Sequence, residues 1–153
     1  MTSLDQGAIT EFRAVVWRHY EAHGRHDLPW RQPNAAGRFD PYAITVSECM
    51  LQQTQVSRVL GKYQEFLAQF PTVAALANAD LGAVLRVWSG LGYNRRAKFL
   101  WQTAQLVLSS SSQQFPRSLP ELVALPGIGA NTAGAILAYA FNEPAVFVET
   151  NIR

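Results

Sequence analysis

Leu122-Val123-Ala124-Leu125-Pro126-Gly127-Ile128-Gly129-Ala130-Asn131-Thr132-Ala133-Gly134-Ala135-Ile136-Leu137 is the stretch whose reading decides the fold. A short helix lying within Pro116 to Leu125 is stopped by Pro126, and a helix of small residues runs from Asn131 to Phe141. Between them, Gly127 and Gly129 permit positive φ and leave the main chain open to a close approach. The amides and dipole at the start of the second helix favour an anion such as a phosphate. Ile128 is suited to anchor the turn in the core. An ordinary helix-to-helix turn has the same ingredients; the immediate succession of helix, Gly-x-Gly hairpin and small-residue helix favours the anion grip.

Working outward, Ile9, Phe12, Val16 and Tyr20 recur at helical spacing, predicting an amphipathic helix that ends near Gly24. Leu28 to Pro41 holds Pro29, Pro33, Gly37 and Pro41 and reads as a loop. From Tyr42, the run Ala43 to Gln53 predicts a mostly buried helix, and Thr54 is placed to cap the next one through Phe70. Thr72 opens a short helix over Val73 to Asn78. Asp80 caps another from Leu81, terminated by Gly90 and Gly92. Asn94 begins a helix through Leu108, and Ser109 to Gln114 is a polar connector. Only Ala145 to Glu149 reads as extended. The expected class is all-α, a compact array of short helices.

With 153 residues, 48% hydrophobic and 16% charged, the chain has material for one sizeable core, and a single domain over 1–153 is expected. A net charge of +2 permits a nucleic-acid partner without demanding one, so local clustering carries that argument. Arg95, Arg96 and Lys98 form the densest basic cluster, suited either to phosphate contact or to a solvated helix face. The single cysteine, Cys49, excludes an internal disulfide and a four-cysteine metal site within these residues, so no metal is expected. The N-terminus has no basic start followed by an apolar run, and no apolar stretch is long enough for a bilayer. A soluble, cytoplasmic protein with no membrane partner is expected.

Glu48 lies among Ile44, Val46, Cys49, Met50 and Leu51. A carboxylate there is costly unless paired or held protonated, and a raised pKa is what a general acid requires at neutral pH. The alternative is an acid on the helix's one polar face, beside Ser47, Gln52 and Gln53.

Four blocks, Leu28–Arg31 (LPWR), Ser47–Val56 (SECMLQQTQV), Gly90–Ala97 (GLGYNRRA) and Leu125–Ala135 (LPGIGANTAGA), resemble the helix-hairpin-helix (HhH-GPD) DNA glycosylase superfamily that includes endonuclease III. Within it, the chain is most similar to the MutY adenine glycosylases. The resemblance runs from about Trp17 to Arg153, with a longer loop between Arg31 and Pro41. It implies an endonuclease III-like domain with its helix-hairpin-helix over 119–141, ending before the family's iron-sulfur segment.

The resemblance also implies roles. Glu48 protonates the adenine ring nitrogen. Glu149, in VETN where the family has a VDGN-like segment, stabilises the sugar cation from an arm one methylene longer, and Asn151 orders that acid or simply caps a helix. Asn131 stands where related lyases carry a Schiff-base lysine, implying a monofunctional enzyme without strand cleavage. Gln53 and Tyr93 match residues that wedge into the duplex as the target base is extruded. Trp30, Arg31 and Leu51 match positions around that base, although Trp30 is almost equally suited to cover a core edge. Gln52, Thr54, Arg95, Arg96, Gly127, Gly129, Asn131 and Thr132 complete the expected DNA-binding set.

The implied activity is removal of adenine mispaired with 8-oxoguanine or guanine, with mismatched or oxidised double-stranded DNA as partner and a monomeric protein. A thymine or uracil mismatch glycosylase and a non-catalytic DNA-binding module are the rival readings. No cofactor is expected in this chain, because the cysteines of the family's 4Fe-4S cluster would lie beyond Arg153. The N-terminal helix is then expected to lack its packing partner and the chain to be less stable than a family member.

Overall fold

The computed structural model describes residues 5–34 and 36–146. Helix α1 (Gln6–His23) starts at Asp5, whose carboxylate accepts from the amides of Gly7 and Ala8, and ends at Gly24. A 3-10 turn over Pro29–Arg31 interrupts the proline-rich loop. Then follow α2 (Pro41–Leu51), α3 (Val56–Gln69), α4 (Val73–Ala77), α5 (Leu81–Trp88), α6 (Arg95–Ser109), α7 (Leu119–Val123) and α8 (Ala130–Phe141). No strand occurs among the described residues. The stretch expected to be extended falls mostly, from Phe147 on, outside them.

Local chemistry explains most boundaries. Pro41 occupies the first position of α2, where its missing amide costs nothing, and Asp40 accepts from the Tyr42 amide at 2.9 Å. Thr72 and Asp80 accept from the amides of Ala75 and Ala83, each at 3.1 Å, as their spacing predicts. Thr54 departs from expectation. Gln55 holds the cap position of α3 without a side-chain bond, because the Thr54 hydroxyl donates back to the Gln52 carbonyl and accepts from Arg96.

Helix α2 is the central element, packed on α3, α6 and α8, with Val46 and Met50 fully enclosed. Around it, α6 packs on α4 and α5, and Phe66 sets its ring edge-on to Phe70 and Trp88. Two buried hydroxyls find main-chain partners within the chain. The Tyr42 hydroxyl donates to the Phe70 carbonyl at 2.7 Å, and Thr103 donates to that of Pro126 at 3.1 Å. Helix α1 differs from the others. It buries no residue, and Phe12, Val15, Val16, Trp17 and Tyr20 remain exposed along it. No described helix is long and apolar enough to cross a membrane.

Candidate functional site

The hairpin between α7 and α8 is built as its glycines require. Gly127 has φ 74°, and a Cβ there would lie 2.9 Å from Phe99 Cβ, so both backbone conformation and space demand glycine. Ile128 is buried beneath the turn, and the Thr103 bond to Pro126 ties the turn to α6. Gly129 has ordinary extended backbone at the start of α8, with open space where a side chain would sit. Gly129, Ala130 and Asn131 are exposed, so the N-terminus of α8 faces outward. Arg95 is exposed as well and lies over the Phe99 ring at 4.9 Å. Phe99 therefore carries the hairpin glycine on one contact and a solvent-facing cation on another.

Two tight turns stand beside this hairpin. Gln53, after α2, has φ 55°, and Tyr93, after α5, has φ 49°. Such left-handed backbone costs a non-glycine residue roughly 1–3 kcal/mol and persists only where its surroundings over-determine it. Both side chains are exposed, Tyr93 at 64%. The Thr54 amide closes the first turn on the Leu51 carbonyl at 3.2 Å, the Arg96 amide bonds the Tyr93 carbonyl at 2.9 Å, and one side chain bridges the two turns.

Arg96 does so, its guanidinium turned inward and not toward the phosphate contact or the solvated helix face that its basic cluster suggested. Its Nη1 donates to the carbonyls of Cys49 (2.8 Å), Met50 (3.1 Å) and Gln52 (2.5 Å), and its Nη2 to Thr54 Oγ1 (3.2 Å) and the carbonyls of Leu91 (3.3 Å) and Gly92 (3.2 Å). The last carbonyls of a helix lack intrahelical partners, and a cation suits that negative end. The guanidinium also lies 5.5 Å from the Tyr93 ring and 5.6 Å from that of Trp88, and its Nε is buried without a hydrogen bond. Burial lowers the Arg96 pKa, which the neighbouring Cys49 and Tyr93 oppose.

Gln52 and Thr132 also face one another, with Gln52 Nε2 donating to Thr132 Oγ1 at 3.2 Å. Glu48 is half-buried, one helical turn before Gln52 on α2. Its neighbour Cys49 has its thiol pushed up to about 12, by burial first and by the Glu48 charge second, with Arg96 opposing. Cys49 is the single cysteine and is buried, and no group of three or more His, Cys, Asp and Glu among the described residues is arranged to hold a metal ion.

The residues expected around an extruded base separate. Trp30 is 6% exposed, edge-on to Tyr63 in the core, so the core-edge alternative describes it and the exposed stacking platform does not. Leu51 is half-buried against the same core. Arg31 is exposed, donates to the Arg25 carbonyl at 3.2 Å, and lines a cavity of about 380 Å³ with Val16, His19, Tyr20 and His23 of α1. Asn131 is exposed in the first turn of α8. Glu149 and Asn151 lie outside the described residues. The inward turn of Arg96 had one signal in the sequence, since Arg96, Leu100, Thr103 and Val107 share the helical spacing of the buried stripe of α6.

A helical array that sets a glycine hairpin, an outward helix N-terminus and a stacked arginine together defines a helix-hairpin-helix domain. The chain belongs to the HhH-GPD superfamily of base excision DNA repair proteins, whose sequence pattern matches residues 46–153. It is 44% identical over 131 residues to the adenine DNA glycosylase of Mycolicibacterium smegmatis, covering 86% of this chain and 43% of that protein. It is 39% identical over 142 residues to that of Buchnera aphidicola subsp. Baizongia pistaciae, covering 93% and 39%. The human adenine DNA glycosylase is 39% identical over 153 residues, covering 97% of this chain and 28% of that protein. The chain thus spans about two fifths of the length of the bacterial relatives.

Among solved structures, a thermostable thymine-DNA glycosylase superposes with a TM-score of 0.81 at 25% identity, covering 93% of this chain and 63% of that one. Endonuclease III in a non-covalent DNA complex superposes with a TM-score of 0.72 at 17% identity, covering 94% and 64%, which speaks to the fold alone.

Proposed function

We propose that this chain carries the base-removing site of a monofunctional DNA glycosylase acting on adenine mispaired with 8-oxoguanine or guanine in double-stranded DNA. The observation that carries the reading is the convergence at the end of α2. Half-buried Glu48 stands one turn from Gln52, which bonds the first turn of the hairpin helix, and Gln53 and Tyr93 project beside it. The hairpin and Arg95 then hold backbone phosphate while Gln53 and Tyr93 enter the duplex to offset the unstacking of the target base.

In the reaction, Glu48 gives its proton to an adenine ring nitrogen. The bond from C1′ to the base breaks with its electron pair leaving on the base, and the sugar is left as a cation, which the resemblance assigns Glu149 to stabilise. Water adds to C1′ and loses a proton, giving free adenine and an abasic site. With asparagine at position 131, no amine stands where related lyases use lysine, so the strand is left intact. The names of the relatives, all adenine DNA glycosylases, support adenine as the base. Likeness to a thymine-DNA glycosylase supports thymine opposite guanine as the second reading.

Single-turnover excision on duplexes holding adenine opposite 8-oxoguanine, adenine opposite guanine and thymine opposite guanine tests both. Release of adenine, reduced at least about a hundredfold by Glu48→Gln, is expected, since general acid catalysis contributes on that order. Release of thymine in its place, or binding with no base released, overturns the adenine reading.

A further inference from the structure

We infer that Arg96 is a positioning residue that locks the two duplex-entering turns to each other, so that Gln53 and Tyr93 act on DNA as one rigid pair. The inference rests on the functional reading above for what the pair does, and on geometry for how it is held. One guanidinium donates to carbonyls or a hydroxyl on both sides of Gln53, at Gln52 and Thr54, and to the two carbonyls immediately before Tyr93, at Leu91 and Gly92. Among the described residues, no hydrogen bond other than those of Arg96 connects the 52–54 turn to the 90–93 turn.

The arrangement needs an arginine. Its planar fork presents donors in two directions at once, whereas a lysine ammonium is a single point of charge on a flexible stem. Both turns also contain a left-handed non-glycine residue, a conformation that relaxes unless it is held from outside. The same side chain lies near the Tyr93 ring at 5.5 Å, so it constrains the backbone and the aromatic group together. A phosphate-binding arginine would instead be solvent-facing, as Arg95 is. Adjacent arginines on one helix thus divide two tasks, Arg95 outward and Arg96 inward.

The test compares the parent chain with Arg96→Lys. In the DNA-free protein, hydrogen exchange of the amides in both turns is expected to rise about tenfold or more, as loss of hydrogen bonds to a charged donor implies, while α4 keeps its protection. Faster exchange in one turn only, or a uniform rise that includes α4, overturns the inference. On DNA, Arg96→Lys is expected to lose preference for mispaired over paired duplex, with the salt dependence of binding unchanged. A salt slope reduced by about one marks a lost phosphate contact and also overturns it.

In a Gln53→Ala, Tyr93→Ala background, the loss of preference caused by Arg96→Lys is expected to vanish; an undiminished effect means that Arg96 does not act through the pair. Thr54→Val serves if Arg96→Lys does not fold. Among the described residues, the hydrogen bonds linking Thr54 to the 90–93 turn all run through Arg96, so faster exchange there supports the lock and unchanged exchange there refutes it. A parent chain that never prefers mispaired DNA overturns the functional reading, whereas the exchange experiment judges the lock by itself.

Discussion

Gln52 and Thr132, 80 positions apart, are joined by a side-chain hydrogen bond of 3.2 Å that ties the end of α2 to the first turn of α8. Helices α2 and α8, which pack on one another, are therefore also joined by a polar contact between the end of one and the start of the other. Gln52→Ala is expected to lower stability by about 0.5–1.5 kcal/mol, the net worth of one such bond, read as a shifted urea midpoint with unchanged slope. An unchanged midpoint would show that the two helices are registered by packing alone.

Gly127 and Gly129 are expected to respond differently to alanine. At Gly127 the positive φ and the 2.9 Å approach to Phe99 act together, so Gly127→Ala should cost about 1–3 kcal/mol and weaken binding to any duplex. Gly129→Ala meets ordinary φ and open space and should stay within about 0.5 kcal/mol of the parent. Thermal unfolding of the two variants side by side checks this, and equal losses would contradict it.

Alkaline pH should unfold the chain through its buried acids. Burial pushes the Cys49 thiol from 9.0 to about 12 and the Tyr63 phenol from 10.0 to about 12, and raises Tyr42 further. Each is held neutral in the folded state but ionises earlier when unfolded. The stability they contribute is thus complete below pH 9 and is lost as pH rises toward 12. The denaturant midpoint is expected to be flat from about pH 7 to 8.5 and to fall above 9, by up to about 1.4 kcal/mol per pH unit per group. The native Cys49 thiol should also resist alkylation at pH 8 and react once the chain is unfolded, and ready native labelling would argue against its burial.

On α1, Phe12 is 69% and Trp17 63% exposed, and no residue of the helix is buried. Replacing both with Gln is expected to change stability by no more than about 0.5 kcal/mol, because Trp17 meets only the exposed Tyr20 ring, 5.8 Å away, and no buried packing is lost. The same change should reduce concentration-dependent association, since contiguous exposed apolar area promotes it. Light scattering across a dilution series reads the second effect. A loss of several kcal/mol on the double substitution would show that this face is covered.

Much of the fold was legible because its signals are local. Thr72 and Asp80 accept from amides three residues ahead, so a polar residue before an apolar run marks a helix start whatever surrounds it. The Pro126 to Gly129 hairpin is equally local, its conformation being a property of glycine. Glu48 was legible as an acid on a largely apolar helix, and it is half-buried there.

The roles of Arg96, Thr54, Trp30 and Gln52 depended on tertiary structure. Arg95 and Arg96 look alike in sequence, yet one faces solvent and the other meets carbonyls at the end of α2, 44 to 47 residues upstream of it in the chain. Thr54 does not cap α3 because that guanidinium occupies its hydroxyl, and contact with Tyr63 decided between the two places the sequence left open for Trp30, a base platform and a core edge. Short-range hydrogen bonding and backbone sterics are written residue by residue and determined the helices and the hairpin. Which polar group answers a distant helix end is settled only when the helices pack, and that packing decided how the candidate site is held together.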